Sequence, residues 1–399
     1  MTRCLLCVLL SGLAVVTGCG AKKDKDKVGD KPSAGSANEP AATPGSAAAA
    51  PTAPKDKPAP AAGDPERAKL TDAFAACKEK NTNCAAYAPL ETYLKAAKDD
   101  KLKKANFDAM MDCVDAGPAG RIEACAYAAW AFTGYAYEAP KDAAYGRRLL
   151  ASLKTLKTDE ESYAGSSVGQ FLASWLTTKD ASLRGELAVA LANKKLETRG
   201  RGELFRLCNA ECVDSPELFG SVLATAQEAT EGEAMRIAAM GALSWSKDDM
   251  HRRVIEQYFI ATLADAGTPP KIATAALKNL ADLGSIDGYP KAIEAIKAHQ
   301  KDEAWVSAGA TALASYFRKP LAIDHKTGVD VALAILADDK VSAWNRRYYL
   351  QALAHANDKR VDGALAKAAK DKDASVAKAA SDAIAVRKKA AEAAAKKPK

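Results

Sequence analysis

Apolar residues recur along this chain at helical spacing. Within 270–283, Ile272, Ala275, Ala276, Leu280 and Leu283 fall on one side of a helix, and no stretch sustains the period of two that a half-buried strand needs. Five segments, "AMRIAAMGALSWS", "IATAALKNLADLG", "VSAGATALASYF", "NRRYYLQALAHA" and "SVAKAASDAIAVR", align so that Leu243, Leu280, Leu313, Leu353 and Ile384 share one column, at steps of 37, 33, 40 and 31 residues. Aspartates or turn signals ("SKDD", "ADLGSID", "LADDK", "AKDKDAS") stand ahead of these helices. A unit of this length holds two helices, buries one face against its neighbours, and makes stability a sum of nearest-neighbour terms. The pattern predicts an all-α chain with essentially no sheet.

Composition agrees, since alanine dominates, aromatics make up only 6% and β-branched runs are nearly absent. Spacing in the thirties with a turn signal before each helix resembles the HEAT and armadillo-type repeats, and the resemblance implies an α-solenoid of stacked helical hairpins. Upstream, "RIEACAYAAWAFTGYAYEAPKDAAYGRRLLASL" (Arg121 to Leu153) resembles one unit of the Sel-one-like relatives of the tetratricopeptide family, with "YAYEA" where a glycine-rich turn is usual. Either likeness implies an α-solenoid. An irregular bundle of alanine-rich helices is the alternative arrangement of the same elements. "AVRKKAAEAAAKKPK" reads as a polar closing helix that frays into a basic tail.

The N-terminus changes the picture. Arg3 precedes an apolar run from Leu5 to Val16, which is well short of the roughly 20 residues that cross a bilayer. The run ends at Val16-Thr17-Gly18-Cys19, which resembles the lipobox of bacterial lipoproteins. That likeness implies a diacylglyceryl group on the Cys19 thiol, cleavage that makes Cys19 the first mature residue, and, with Gly20 in place of a retention aspartate, an outer-membrane address facing the periplasm. Acyl chains contribute about 0.8 kcal/mol per buried methylene, so several chains anchor where one would not. An ordinary secretory signal is the alternative. Beyond it, Ala21 to about Asp64 is Ala, Pro, Gly, Ser, Lys and Asp, too poor in large apolar side chains to offset its ordering entropy. "PTAPKDKPAPAA" favours polyproline II, and the tether spans roughly 35–40 Å as a coil. The expected division is 1–18 signal peptide, 19–65 lipidated cysteine and tether, 66–215 cysteine-containing helical region, 216–388 HEAT-like region and 389–399 basic tail.

Six cysteines lie beyond the lipobox: Cys77, Cys84, Cys113, Cys125, Cys208 and Cys212. An even number in an exported chain predicts disulfides, although six cysteines allow 15 connectivities. Cys77 with Cys84 and Cys113 with Cys125 flank turn signals and can each staple a hairpin. Cys208 and Cys212 can pair only if the helix breaks near Asn209; otherwise they pair elsewhere. "CNAEC" lacks the two-residue spacing of a redox motif, and no histidines cluster near a cysteine pair as zinc would need.

Candidate chemistry is sparse. His251, His299, His325 and His355 share no metal-ligand spacing; no nucleophile elbow, P-loop or dinucleotide fingerprint occurs, and "TRGRGE" is a lone Gly-x-Gly. Asp248-Asp249 and Asp338-Asp339 are expected to cap helices. The net charge of +7 includes the lysine-rich tether and tail, so nucleic acid is not an expected partner of an exported chain. Arginines cluster at Arg199, Arg201 and Arg206, at Arg252 and Arg253, and at Arg346 and Arg347 beside Trp344, Tyr348 and Tyr349. Arg252, Arg253, Arg346, Arg347, Trp344 and Tyr348 are the candidate partner-binding residues; solvated outer faces are the alternative reading. The expectation is a non-enzymatic, lipid-anchored periplasmic helical-repeat module that binds or scaffolds another envelope protein, with no cofactor, metal or small-molecule substrate. The alternative is a hydrolase or other enzyme whose site is assembled from scattered acids.

Overall fold

Short acceptor side chains decide where the helices begin. The computed structural model describes residues 107–108, 111–115, 122–123, 125–127, 142–157 and 163–395. Its helices are α1 (Ala143–Thr155), α2 (Ala164–Leu172), α3 (Ala181–Ala192), α4 (Thr198–Leu207), α5 (Ala210–Val213), α6 (Pro216–Gln227), α7 (Glu233–Leu243), α8 (Asp249–Ala264), α9 (Pro270–Leu283), α10 (Gly288–Ala298), α11 (Glu303–Arg318), α12 (His325–Ala337), α13 (Ala343–Leu353), α14 (Arg360–Ala368) and α15 (Ala374–Ala395). Asp142, Asp180, Asp248, Asp302 and Asp324 each cap the helix that follows by accepting from its first-turn amides. Asp338 does not. It closes α12 and accepts from the Lys340 amide at 2.9 Å, while the Ser342 hydroxyl caps α13. The expectation of capping is corrected there, because the turn after α12 runs four residues further before the next helix starts.

Among the described residues there is no strand, and the chain is all-α. Consecutive helices pair: α1 with α2, α3 with α4, α6 with α7, α8 with α9, α10 with α11, α12 with α13 and α14 with α15. Each second helix also packs on the next second helix, from α2 through α4, α7, α9, α11 and α13 to α15. Among first helices, α1 packs on α3, α3 on α6, α8 on α10 and α10 on α12. Leu243, Leu280, Leu313 and Leu353 occupy equivalent, fully buried places in α7, α9, α11 and α13. Ile384 in α15 is partly exposed instead, and Ala380 and Ala383 take the inward positions. Among the described residues, α15 packs on α13 and α14 and no further helix covers its other side.

The buried core runs through position 216, with Val213 and Leu218 in one cluster. It changes hands on α9, where Ile272, Ala276 and Leu280 face the N-terminal cluster while Ala273, Leu277 and Ala281 face the C-terminal one. A helix apolar on two sides is how one hairpin serves two neighbours. Between α2 and α4 the backbones nearly touch: a Cβ on Gly169 would lie 2.3 Å from the Gly200 carbonyl oxygen. Only glycine fits that crossing.

Arginines lace neighbouring hairpins from the solvent side. Arg147 of α1 donates to Glu186 of α3 at 2.8 Å, and Arg184 of α3 grips Glu217 of α6 with two parallel bonds of 3.0 and 2.9 Å. Arg360 of α14 pairs with Asp330 of α12 across 30 residues of chain. Paired with Arg184 and the Ser215 hydroxyl, the Glu217 carboxyl is held at about 2. Exposed pairs of this kind add roughly 0–1 kcal/mol each, so they set register more than stability.

The signal peptide, Cys19, the tether, Cys77 and Cys84 lie outside the described residues, as do 128–141 of the Arg121–Leu153 segment and 396–399 of the tail. No described helix is long and apolar enough to cross a membrane.

Candidate functional site

The arginine clusters of the sequence separate in space. Arg201 is 2% exposed: its Nε donates to the Leu191 carbonyl at 2.6 Å and its Nη1 to Glu231 at 2.8 Å, tying α3, α4 and the turn before α7 together. Arg252 closes a turn, donating to the carbonyls of Ser246 at 3.3 Å and Leu283 at 2.6 Å. Arg253 on the same helix is exposed. Arg346 pairs with Asp371 at 2.8 Å. Arg347 lies 5.2 Å above the Trp344 ring, which meets Tyr348 edge-on at 5.3 Å. Thus Arg252 and Arg253 sit on a first helix, α8, whereas Arg346, Arg347, Trp344 and Tyr348 sit on a second helix, α13; the structure does not bring the two groups together.

The second helices carry a groove of ≈ 590 Å³ on their outward side, across α2, α4, α7 and α9. Its floor is small, because Gly202, Ala238 and Gly241 present almost no side chain. A Cβ at Gly202 or Gly241 would meet nothing within 4 Å. Its walls are large. Trp245, just beyond α7, is 63% exposed, and Tyr163, just before α2, is 51% exposed with the Arg199 guanidinium 4.8 Å from its ring centre. Glu123 supports that end by accepting from the Tyr163 amide at 3.1 Å; burial pushes its carboxyl up, against the pull of that amide and of Arg199. Glu203 takes bonds from Ser166 at 3.1 Å and Arg206 at 2.7 Å, and Asp282 accepts from Ser315 at 2.7 Å. The groove therefore offers aromatic faces and guanidinium edges over a floor that a partner's backbone could approach closely.

Tyr163 and Trp245 were not among the sequence candidates. The available signal for Trp245 was its place in "LSWSKDD", past the last core leucine of a helix, where a large apolar ring has no inward direction left.

Acid clusters elsewhere hold turns. Asp214 accepts from the Ser246 hydroxyl at 2.5 Å and the Lys247 amide at 2.8 Å; burial opposes its ionisation, but these donors outweigh it and hold the carboxyl below its ordinary range. His251 Nδ1 is 3.4 Å from the same carboxylate and its ring lies flat on Phe219. The Ser246 hydroxyl and the Lys247 and Asp248 amides all donate to Asp214, so these contacts staple the turn ahead of α8. Glu256 accepts from Ser285, whose oxygen receives the Gly288 amide at 2.7 Å and starts α10. Among the described residues, no group of three or more His, Cys, Asp or Glu could hold a metal ion.

Two cysteine pairs lie at disulfide distance. Cys113 and Cys125 have Cα atoms 6.0 Å apart, and Cys208 and Cys212 have theirs 5.2 Å apart. The second pair closes because the helix does break: α4 ends at Leu207, and Asn209 caps α5 by accepting from the Cys212 amide at 3.1 Å.

No family model matches the chain, and no curated protein matches it.

Proposed function

We propose that this chain is a lipid-anchored α-solenoid of HEAT-like hairpins that works as a binding or scaffolding module, receiving another protein of the bacterial envelope on the outward side of its second helices. One observation carries the reading: Trp245 and Trp344 stand 63% and 56% exposed on that side, each with a tyrosine or arginine nearby, in a chain with only five tryptophans. A tryptophan left in water forgoes roughly 2–3 kcal/mol of burial, and tryptophan, tyrosine and arginine are the side chains that carry most interface energy. The packing of every second helix on the next supports the solenoid part of the reading. The short apolar N-terminus ending in Cys19 supports the anchor.

The test places a photo-crosslinking benzoylphenylalanine at position 245, 344 or 189 of the full chain in its own envelope. The reading expects one discrete protein adduct at 245 and 344 and none at Val189, an equally exposed apolar position on the first helix α3. Adducts at 189 alone, or none at any position, would overturn it. The anchor is tested separately: Cys19→Ser should abolish metabolic palmitate labelling, and persistence of the label would refute lipidation at Cys19.

A further inference from the structure

The first helices do not stack without a gap. Whereas α10 packs on α12, α14 packs on α15 and lacks close packing on α12, leaving a cleft of ≈ 1040 Å³ between α12, α14 and the start of α15. This volume matches the upper end of the roughly 300–1,000 Å³ that ligand clefts occupy. The walls are aliphatic. Leu333 and Leu336 of α12 are only half-buried, although Val331 and Ile335 of the same helix are buried, and Ala364 and Val376 complete the apolar lining.

Charge surrounds this lining unevenly. Of the three acids at the rim, Asp339 stands on the turn after α12 with no ion pair among the described residues, whereas Asp371 is engaged by Arg346 at 2.8 Å and by the Asp373 amide at 2.9 Å. Asp373 is engaged by the Ser375 hydroxyl and the Ser375 and Val376 amides, the hydroxyl foremost in holding its carboxyl below the usual range. The cations have less to hold. Lys367, Lys370 and Lys372 form no ion pair among the described residues. The Nε of Arg346 is buried in the wall with no acceptor, a donor left without a bond inside the protein.

We propose that this cleft binds a single-chain anionic amphiphile, with its hydrocarbon chain along Leu333, Leu336, Ala364 and Val376 and its carboxylate at Arg346, Lys367 and Lys370. An apolar trough accounts for the tail. Three unpaired ammonium groups and an orphaned guanidinium N–H account for the head, since charge-assisted bonds to carboxylate are the strong ones. This cleft is lined mainly by first helices and the aromatic groove by second helices, and no residue lines both.

The experiment uses the full chain with phosphatidylcholine nanodiscs and a palmitate bearing a diazirine near its chain end, mapped by mass spectrometry after irradiation. The label is expected on peptides of α12 and α14. Unlabelled palmitate should compete, and its methyl ester should compete about tenfold less well, because it lacks the carboxylate. Lys367→Glu/Lys370→Glu, two exposed positions that leave the core intact, should weaken labelling by a similar factor without changing the thermal melt. Label scattered over other helices overturns the proposal, as does a methyl ester or a charge-reversed chain that behaves like the reference. Equal competition by nanodiscs containing phosphatidylglycerol overturns it too, in favour of a bilayer headgroup site.

Discussion

Arg201→Ala separates an arginine that builds the protein from those that face outward. Truncation removes the 2.6 Å bond to the Leu191 carbonyl, in the last turn of α3 where helical carbonyls lack partners, and the 2.8 Å pair with Glu231, itself only 10% exposed. Breaking a buried pair by deleting one member costs about 3–5 kcal/mol, since the remaining charge stays buried without compensation. With a urea m-value of about 3 kcal/mol/M, the unfolding midpoint followed by far-UV circular dichroism should fall by about 1–1.7 M. Arg206→Ala, five residues on and 57% exposed, loses only an (i, i+3) contact with Glu203 and should cost less than about 1 kcal/mol. Replacing both partners with apolar residues, Arg201→Met with Glu231→Leu, should recover most of the loss, because neither charge is then stranded. Equal midpoints for Arg201→Ala and Arg206→Ala would refute the reasoning.

Three further outcomes follow from particular contacts. Gly169→Ala places a methyl 2.3 Å from the Gly200 carbonyl and should destabilise by about 1–3 kcal/mol or more, whereas Gly202→Ala meets open space and should be neutral or stabilise by up to about 1 kcal/mol; calorimetry on the two variants checks this. Breaking the Cys208–Cys212 link by Cys208→Ser/Cys212→Ser should cost about 2 kcal/mol for so short a loop, and breaking Cys113–Cys125 about 3, read as denaturant midpoints under oxidising conditions. His325 accepts the Asn357 amide at Nδ1 at 3.0 Å, and burial holds its imidazole below the ordinary value. A folded value below the unfolded one gives stability that is complete above about pH 6.5 and is lost as pH falls through the folded value. Wild type should therefore lose more stability than His325→Gln between pH 7.5 and 5, a window in which Glu217 and Asp358, held at about 2, stay ionised. Parallel pH curves would refute the assignment.

Much of the fold was legible because one periodicity writes both the helix and its buried face. Leu243, Leu280, Leu313 and Leu353 could be aligned without coordinates, since each is the residue that a helix sandwiched between two neighbours must bury. Ile384 broke the column for a reason no alignment contains: α15 lacks a described neighbour on one side. The break at Asn209 was legible through its chemistry, as asparagine offers an amide oxygen to the amides of a new helix. The partners of the lacing arginines were not legible. Glu186, Glu217 and Glu231 lie 39, 33 and 30 residues from the arginines they hold, a full hairpin away, and any acid in that interval was an equal candidate.

Neighbours in sequence are not neighbours on a helix surface, so the groove is not legible in the string of arginines. At about 100° per residue, Arg199, Gly202, Glu203 and Arg206 share the outward side of α4, while Arg201 is turned about 200° from Arg199 and must point inward. The three arginines of "TRGRGELFR" therefore meet a tyrosine ring, a nearly buried glutamate and a half-buried glutamate in turn. The same arithmetic divides "WNRRYY". Trp344, Arg347 and Tyr348 fall at i, i+3 and i+4 on one outward stripe, and Arg346, one residue before Arg347, leaves it for Asp371 and the wall of the cleft between α12 and α14. A pair of neighbouring arginines on a helix in this chain thus cannot serve one surface. Arg347 belongs with the aromatic side proposed to receive a protein, and Arg346 with the cleft proposed to receive an acyl chain. Charge reversal at Arg347 alone should weaken crosslinking at position 344 and leave palmitate labelling of α12 unchanged, and loss of both together would mean that the two surfaces are one.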